Sequence, residues 1–473
     1  MIGEEVLYLS VRELGERIRS RQLSPVELTK AYLSRDKEYG RLLNAFAMVL
    51  ADLALQQAEQ AEAEIQQGHY RGPLHGIPYA AKDLLAVKGY PTTWGARPYQ
   101  RQVFDYDATV IRKLNDAGAI LLGKAAMIEL AGGLGYRFAS ASWTHAAKNP
   151  WNTNCWTCGS SSGSGAIVAA GLAAFAIGTE TWGSILCPSA FCGVSGLRPT
   201  FGRVGRGGAM ALSYSMDKIG PMCRTADDCA LVLAAISGHD PSDASSLPEA
   251  EAHFTYAAPP AKSLRIARIE NAWEKPDPEI AAAFEQALSV LQQGGAAISS
   301  VSLPDGPFET AGGIVISVEA ASAFSKLIDS GQVAQLNDPL GQIGGYVAQT
   351  VGGQDYLRAQ RIRRVLQQKM DRIFQQCDVL VAPSQPVPAT PLDTNLETGL
   401  SFADPVGGIG NLCGLPAQSV PCGFTKAGLP IGIQFLGQVL NDSAVVAAAE
   451  MFQSRTDWNR KHPKLEDKHP QGR

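Results

Sequence analysis

Serine hydroxyls crowd two short stretches of this chain. Residues Cys158 to Gly171 read CGSSSGSGAIVAAG, four serines and four glycines that give way to an apolar run, and a further serine closes Thr181-Trp-Gly-Ser184. A serine hydroxyl becomes a useful nucleophile only when a base removes its proton, so the identity of that base decides the chemistry. Gly159-Ser-Ser-Ser-Gly163 fits G-x-S-x-G, the nucleophile elbow of α/β-hydrolases, which needs an acidic residue and then a histidine downstream. The downstream histidines are His239 and His253, in or beside a polar connection, and His462 and His469, in a charged tail. Ser215-Met-Asp-Lys218 fits S-x-x-K, but neither Ser-Asp-Asn nor Lys-Thr-Gly accompanies it. Cys155-Trp-Thr-Cys158 has the spacing of a redox pair or of half a zinc site. With no second C-x-x-C and no His-x-x-x-His, it reads as two unrelated structural thiols. The chain has no G-x-x-x-x-G-K-[ST] phosphate loop, and no G-x-G-x-x-G between a strand and a helix. A hydrolase built here needs a base other than histidine or a metal-bound water.

The elements that must hold these hydroxyls follow from pattern. With 473 residues, 45% hydrophobic and 18% charged, the chain can bury a large core. Its formal net charge of -4 gives no bulk basic footprint for nucleic acid, and Arg358-Ala-Gln-Arg-Ile-Arg-Arg364 reads as a solvated helix face. The start, MIGEEVLYLS, lacks the layout of a signal peptide, and no stretch approaches the ~18 apolar residues that span a bilayer. Nine dispersed cysteines fit reduced core thiols in a cytoplasm. The first seventy residues read helical, with capping boxes at Ser10-Val-Arg-Glu13 and Ser24-Pro-Val-Glu27 and a helix from Ala51 to Gln67 that stops at Gly68. Short apolar runs at Ile77–Ala81 and Ala119–Leu122, separated by a helix over Thr109–Ala117, predict an α/β sheet. The apolar run Ala166–Ile177 reads as a buried helix between two tight loops. Residues 240–262 read as a surface connection, followed by a strand at Ser263–Ile269, a helix at Asp277–Gln293 and a buried strand at Val379–Pro383.

Taken in order, the motifs resemble those of the amidase signature family, serine hydrolases built on a Ser, cis-Ser and Lys triad. Cys158-Gly-Ser-Ser-Ser-Gly-Ser164 is similar to the family's Gly-Ser run before an Ala-rich helix. Gly178-Thr-Glu-Thr-Trp-Gly-Ser-Ile-Leu186 resembles the following loop, and Cys192-Gly-Val-Ser-Gly-Leu-Arg-Pro-Thr200 the segment after it. Upstream, Gly76-Ile-Pro-Tyr-Ala-Ala-Lys-Asp83 resembles the strand that carries the lysine. Asn149-Pro-Trp151, Asp217-Lys-Ile-Gly-Pro221 and Gly428-Leu-Pro-Ile-Gly-Ile-Gln434 fall in the family's order. The resemblance spans roughly residues 5 to 455. It implies one large α/β/α domain with a central mixed, mostly parallel, twisted sheet covered by helices on both faces. Residues 1–70 would be N-terminal helices packed on a catalytic domain of residues 71–473.

Position by position, the resemblance makes Ser184 the nucleophile, Ser160 the bridging serine at a cis peptide, and Lys82 the general base. Main-chain N–H groups of Thr181, Trp182, Gly183 and Ser184 would form the oxyanion hole. Such a lysine must be neutral near pH 7, about three units below its reference value, which burial among groups such as Ile77 and Leu84 would supply. Asp83, next along a strand, would point to the opposite face. The resemblance implies no metal and no cofactor.

Three departures from the family pattern stand out. Trp182 replaces a glycine inside the oxyanion loop, and either shapes a hydrophobic substrate site or packs under the loop. Leu186 replaces an arginine and Glu180 an aspartate, so Glu180 needs a new partner or water. Cys158 and Ser162 replace glycines flanking Ser160. The machinery implies hydrolysis of amides, anilides or carbamates, and of esters, through an acyl-enzyme, with Tyr136, Trp182 and Leu186 suiting an apolar or aryl substrate. On that reading the substrate is a small-molecule amide or carbamate, with no nucleic acid or membrane partner, and the chain is a cytoplasmic monomer or homodimer. The alternative is the glutaminase component of a glutamyl- or aspartyl-tRNA amidotransferase. Asp404, twelve residues before Pro416, falls where that component has its glutamine-binding aspartate. The segment expected to carry an arginine instead reads Pro339-Leu-Gly-Gln-Ile-Gly-Gly345.

Overall fold

The computed structural model describes residues 2–256, 264–399 and 404–465. Thirteen strands are present among them. They are β1 (Phe46–Val49), β2 (Pro78–Lys82), β3 (Ile120–Ala125), β4 (Lys148–Asn149), β5 (Asn152–Trp156), β6 (Phe175–Glu180) and β7 (Ser195–Arg198). The others are β8 (Lys218–Cys223), β9 (Arg265–Ile269), β10 (Ala297–Val301), β11 (Val379–Pro383), β12 (Ala417–Phe424) and β13 (Pro430–Gly437). β4 and β5 pair as a small hairpin, and the other eleven form one sheet in the order β1-β3-β2-β6-β8-β7-β12-β13-β11-β9-β10.

Both faces of this sheet are buried, as side-chain alternation in a strand requires when each face carries a layer. In β11, Val379 and Val381 join one apolar core while Leu380 and Ala382 join a second. Helices Ser162–Ala169, Ala226–Ile236 and Asp442–Gln453 contribute to the first core, and Phe308–Ala323, Gly353–Phe374 and Pro405–Leu412 to the second. No helix among the described residues is long and apolar enough to cross a membrane.

The expected α/β sheet is mixed, but its balance differs from the expectation of mostly parallel pairing. Parallel pairs are β3–β2, β2–β6, β11–β9 and β9–β10. The remaining six neighbour pairs of the described sheet are antiparallel. The physical reason is connection length: β12 and β13 join through a five-residue turn, which permits only antiparallel pairing, whereas parallel neighbours need a crossover.

Several local readings hold and others shift. Ser10 and Glu13 form a complete reciprocal capping box. Ser24 accepts the Glu27 N–H at 3.1 Å, while its own hydroxyl turns to Glu62. The first seventy residues are not wholly helical, because β1 lies within them and pairs with β3 at the sheet edge. The run Ala166–Ile177 is not one helix. It divides into Ser162–Ala169 and the start of β6, with Gly171 between them at φ +66°, a left-handed turn that ends the helix. The connection after residue 239 is partly a buried clasp: Asp243 holds Arg206 at 2.8 Å and Asp240 accepts the Gly207 N–H at 3.1 Å. Its residues 257–262 lie outside the described residues, as does Ser263.

Asp442 fixes the last helix to the loop after β7. It is fully buried and accepts from the Thr200 N–H at 2.9 Å, the Thr200 hydroxyl at 2.7 Å and Arg203 Nε at 2.9 Å. Asp442→Ala leaves a buried guanidinium without its carboxylate, so we expect a loss of about 3–5 kcal/mol of stability, read as a lowered urea midpoint.

Candidate active site

Lys82 is the last residue of β2, between the parallel strands β3 and β6, and all three end at the same edge of the sheet. In open α/β sheets the carboxyl ends of parallel strands are where functional groups collect. The Lys82 side chain is fully buried. Its Nζ lies 2.7 Å from Ser160 Oγ, 2.9 Å from Thr179 Oγ1 and 3.4 Å from the Thr179 carbonyl oxygen. Burial pushes its pKa down to about 7, against the upward pull of Asp217 and then Glu180. Asp83 turns away to meet Lys124 Nζ at 3.0 Å and the Thr93 hydroxyl.

The serine-rich stretch is a set of clasps. The Gly159–Ser160 peptide is cis. The Ser161 hydroxyl donates to the Thr179 carbonyl at 3.1 Å, and the Ser161 N–H reaches the Ser184 carbonyl at 3.3 Å. Ser162 Oγ donates to the Ala126 carbonyl at 3.4 Å and Ser164 Oγ to the Ile177 carbonyl at 3.3 Å. Gly163 permits this closeness, since a Cβ there would stand 2.2 Å from the Ala45 carbonyl oxygen. Small hydroxyl residues thus stitch the head of the helix to the ends of β3 and β6, which sequence reading assigned only to the catalytic loop as a whole.

Ser184 stands just before the helix Leu186–Cys192 and is 8% exposed. The loop that carries it is anchored from beneath. Glu180 Oε2 accepts the N–H groups of Ile185 at 2.8 Å and Leu186 at 3.0 Å. Its other oxygen accepts from Arg198 Nη1 at 2.7 Å and Asn411 Nδ2 at 3.0 Å. Burial pushes the Glu180 carboxyl up, but Arg198 outweighs it and holds the pKa at about 2. The partner that Glu180 lacked in sequence is therefore Arg198, from Gly-Leu-Arg-Pro-Thr. Asp217 braces the same loop: Oδ1 accepts from the Thr181 hydroxyl at 2.6 Å, and Oδ2 from the N–H groups of Leu212 and Ser213 at 2.8 and 3.0 Å. Sequence reasoning noted both residues only within motifs.

Trp182 sits half-buried between two helices. A Cβ at Gly312 would come 2.6 Å from its ring and one at Gly408 2.7 Å, so Phe308–Ala323 and Pro405–Leu412 offer it glycine-lined faces. Gly183, at φ +77°, supplies the left-handed turn that a side chain would resist. Of the other residues expected near substrate, Leu186 and Asp404 meet the same helix Pro405–Leu412 as Trp182, and Tyr136 lies elsewhere. Leu186 lies in the second apolar core with Met216, Val406 and Ile409. Tyr136 packs edge-on against Trp156 at 6.2 Å. Asp404 caps the helix Pro405–Leu412, accepting the Gly407 N–H at 2.7 Å, and burial raises its carboxyl to about 7.

Cys158 does not stand as an unrelated thiol beside Cys155. It forms a disulfide with Cys187, while Cys155 is free and buried. The expectation of wholly reduced cysteines fails at this pair because the fold brings their Cα atoms to 5.9 Å, within bridging range. Among the described residues no three His, Cys, Asp or Glu side chains gather as metal ligands would.

Residues 27–446 match the family described as Amidase. The A subunit of the glutamyl-tRNA(Gln) amidotransferase of Thermosynechococcus vestitus is 36% identical, over 96% of this chain and 99% of its own. The native peptide amidase of Stenotrophomonas maltophilia superposes with a TM-score of 0.87 at 31% identity, covering 97% of this chain and 98% of its own. The A subunit of the glutamyl-tRNA(Gln) amidotransferase of Thermotoga maritima gives 0.78 at 26%, covering 99% and 100%. These relatives overturn the expectation of a self-sufficient monomer or homodimer acting on a small-molecule amide or carbamate without nucleic acid. Proteins named as subunits of a tRNA-linked enzyme match nearly the whole chain. Bulk charge was a poor guide because it is silent about surface that another protein in an assembly supplies.

The buried amine carries a stability consequence. Between about pH 7 and the ordinary lysine value of 10.5, the unfolded chain binds a proton at Lys82 that the folded chain binds less well, so stability rises with pH across that window. Lys82→Met removes this burden. We expect its Tm to exceed the parent's at pH 7, and the gap to close toward pH 10.5.

Proposed function

The chain belongs to the amidase family, enzymes acting on carbon–nitrogen bonds, and on that premise we propose that it forms an acyl-enzyme on Ser184. The observation that carries the reading is the fully buried Lys82 amine 2.7 Å from Ser160 Oγ, with its pKa pushed down to about 7. A neutral Lys82 draws a proton from Ser160 as Ser160 takes one from Ser184. Ser184 Oγ then attacks the substrate carbonyl, and the N–H groups of residues 181–184 receive the charge that develops on oxygen. Ser160 returns its proton to the leaving nitrogen as the C–N bond breaks. Water reverses the relay to release the acid. Glu180 and Asp217 hold the oxyanion loop in register from below.

The reading we favour is the glutaminase component of a tRNA-dependent amidotransferase, which frees ammonia from glutamine and passes it to partner proteins. Supporting this, curated relatives that match nearly the whole chain are named as such subunits, and Asp404 caps the helix that packs against Trp182. A second reading, a hydrolase of amides, anilides or carbamates with apolar groups, is favoured by the indole of Trp182 beside the loop and by the apolar surroundings of Leu186. Under either reading we place the protein in the cytoplasm.

Glutamine hydrolysis should be measurable and should rise when the chain copurifies with its partner proteins. Turnover of aryl amides, anilides and aryl carbamates by the purified chain without ATP or tRNA, with none of glutamine, would establish the second reading instead. Because the base works uncharged, kcat/KM should climb through about pH 7 and level off above it. Ser184→Ala should abolish acyl-enzyme labelling, and Lys82→Met should lower kcat by roughly 100- to 10,000-fold.

A further inference from the structure

A row of side chains links the buried amine to a carboxylate two strands away. In the antiparallel pair β6–β8, Thr179 lies opposite Ile219 and Glu180 opposite Lys218. One step further, Thr181 and Asp217 face each other, and the Thr181 hydroxyl donates to Asp217 Oδ1 at 2.6 Å. Side chains alternate along a strand, so Thr179 and Thr181 share one face while Glu180 takes the other. On the shared face, Thr179 Oγ1 is 2.9 Å from Lys82 Nζ. Lys82, Thr179, Thr181 and Asp217 thus form a row across the neighbouring strands β2, β6 and β8.

Strand spacing puts the Asp217 carboxylate roughly 7–10 Å from the amine. Burial raises its pKa above the usual carboxylate value, while the Thr181 hydroxyl, the N–H groups of Leu212 and Ser213 and the nearby Arg206 favour the ionised form. The other charged groups around Lys82 are turned aside or neutralised. On β3, Lys124 pairs with Asp83 at 3.0 Å. Glu180, on the far face of β6, is held by Arg198 at 2.7 Å. On β8, burial and then Arg198 push the Lys218 amine well below its usual value, and it reaches the Met216 carbonyl. Arg206 is bound by Asp243 at 2.8 Å. The serine loop of residues 158–164 has no titratable side chain besides Cys158, which is bridged to Cys187.

We propose that Asp217 is a positioning residue with two separable effects: its charge sets the pH at which Lys82 becomes a base, and its bond to Thr181 fixes the loop whose N–H groups receive the oxyanion. The assignment rests on the acyl-enzyme reading above and holds for either acyl donor. A negative charge favours the protonated amine, so Asp217 keeps the base from working in mildly acidic solution. Its upward pull on Lys82 has that sign. At this separation, with an effective dielectric constant of about 20, the attraction corresponds to about one pH unit or somewhat more.

The test reads the rate at which a fluorophosphonate probe labels Ser184 between pH 5 and pH 9. Fluoride leaves as the P–O bond forms, so labelling needs the activated hydroxyl and no natural substrate. In the parent the rate should rise through about pH 7. Asp217→Asn removes the charge and keeps the shape, and its rising limb should move down by about one pH unit. Thr181→Val keeps the charge and cuts the bond, and its plateau should fall roughly tenfold with the limb in place. Asp217→Ser is the second neutral variant should Asp217→Asn not fold. An unmoved limb in a folded neutral variant, an equal displacement in Thr181→Val, or an unmoved Thr181→Val plateau overturns the proposal. Failure of both neutral variants to fold overturns it too, because the carboxylate then serves the fold rather than the base. No labelling of the parent overturns the acyl-enzyme reading itself.

Discussion

One amine kept out of water organises this molecule. A lysine inside a sheet is costly unless it sheds its proton or meets a carboxylate. Here the contacts of Lys82 are two hydroxyls and a carbonyl, and the carboxylates that influence it, Asp217 and Glu180, act at a distance. A carboxylate in contact would pin the proton on nitrogen; hydroxyls hold the amine without doing so. That arrangement demands that three parallel strands end together, that the serine loop press against them, and that β3 and β6 seal both flanks of β2.

The loop carrying Ser184 depends on a second buried group. Glu180 and Arg198 are both inaccessible to solvent, on strands separated in the sheet by β8. A buried ion pair of this kind is weak support for stability as such, because both charges lose their hydration. Its value lies in geometry: one carboxylate oxygen takes the guanidinium and the other takes two consecutive main-chain N–H groups just past Ser184. With Arg198 satisfying the carboxylate, no cation is needed at position 186, and Leu186 joins an apolar core.

Much of this was legible in the order of the residues alone. Val379–Pro383 and Ile77–Ala81 announce buried strands by continuous apolar runs, and the motifs singled out Lys82 and Ser160, which the fold brings to 2.7 Å. What escaped did so for identifiable reasons. Ala166–Ile177 is apolar throughout, and hydrophobicity cannot separate a buried helix from a buried strand once both faces are covered. β1 is four residues long between two helices, too short to show an alternation. Arg198, Asp217 and Cys187 act on the site through contacts made only when distant segments meet, and no spacing along the chain encodes them. The placement of Trp182 depended on two glycines more than a hundred residues away.

The bond between Cys158 and Cys187 closes a covalent ring across a sequence separation of 29. That ring contains both Ser160 and Ser184, together with the helix and strand that separate them. A single backbone cut anywhere inside it would leave the two hydroxyl-bearing segments as parts of one molecule, parted only by thiol reagents.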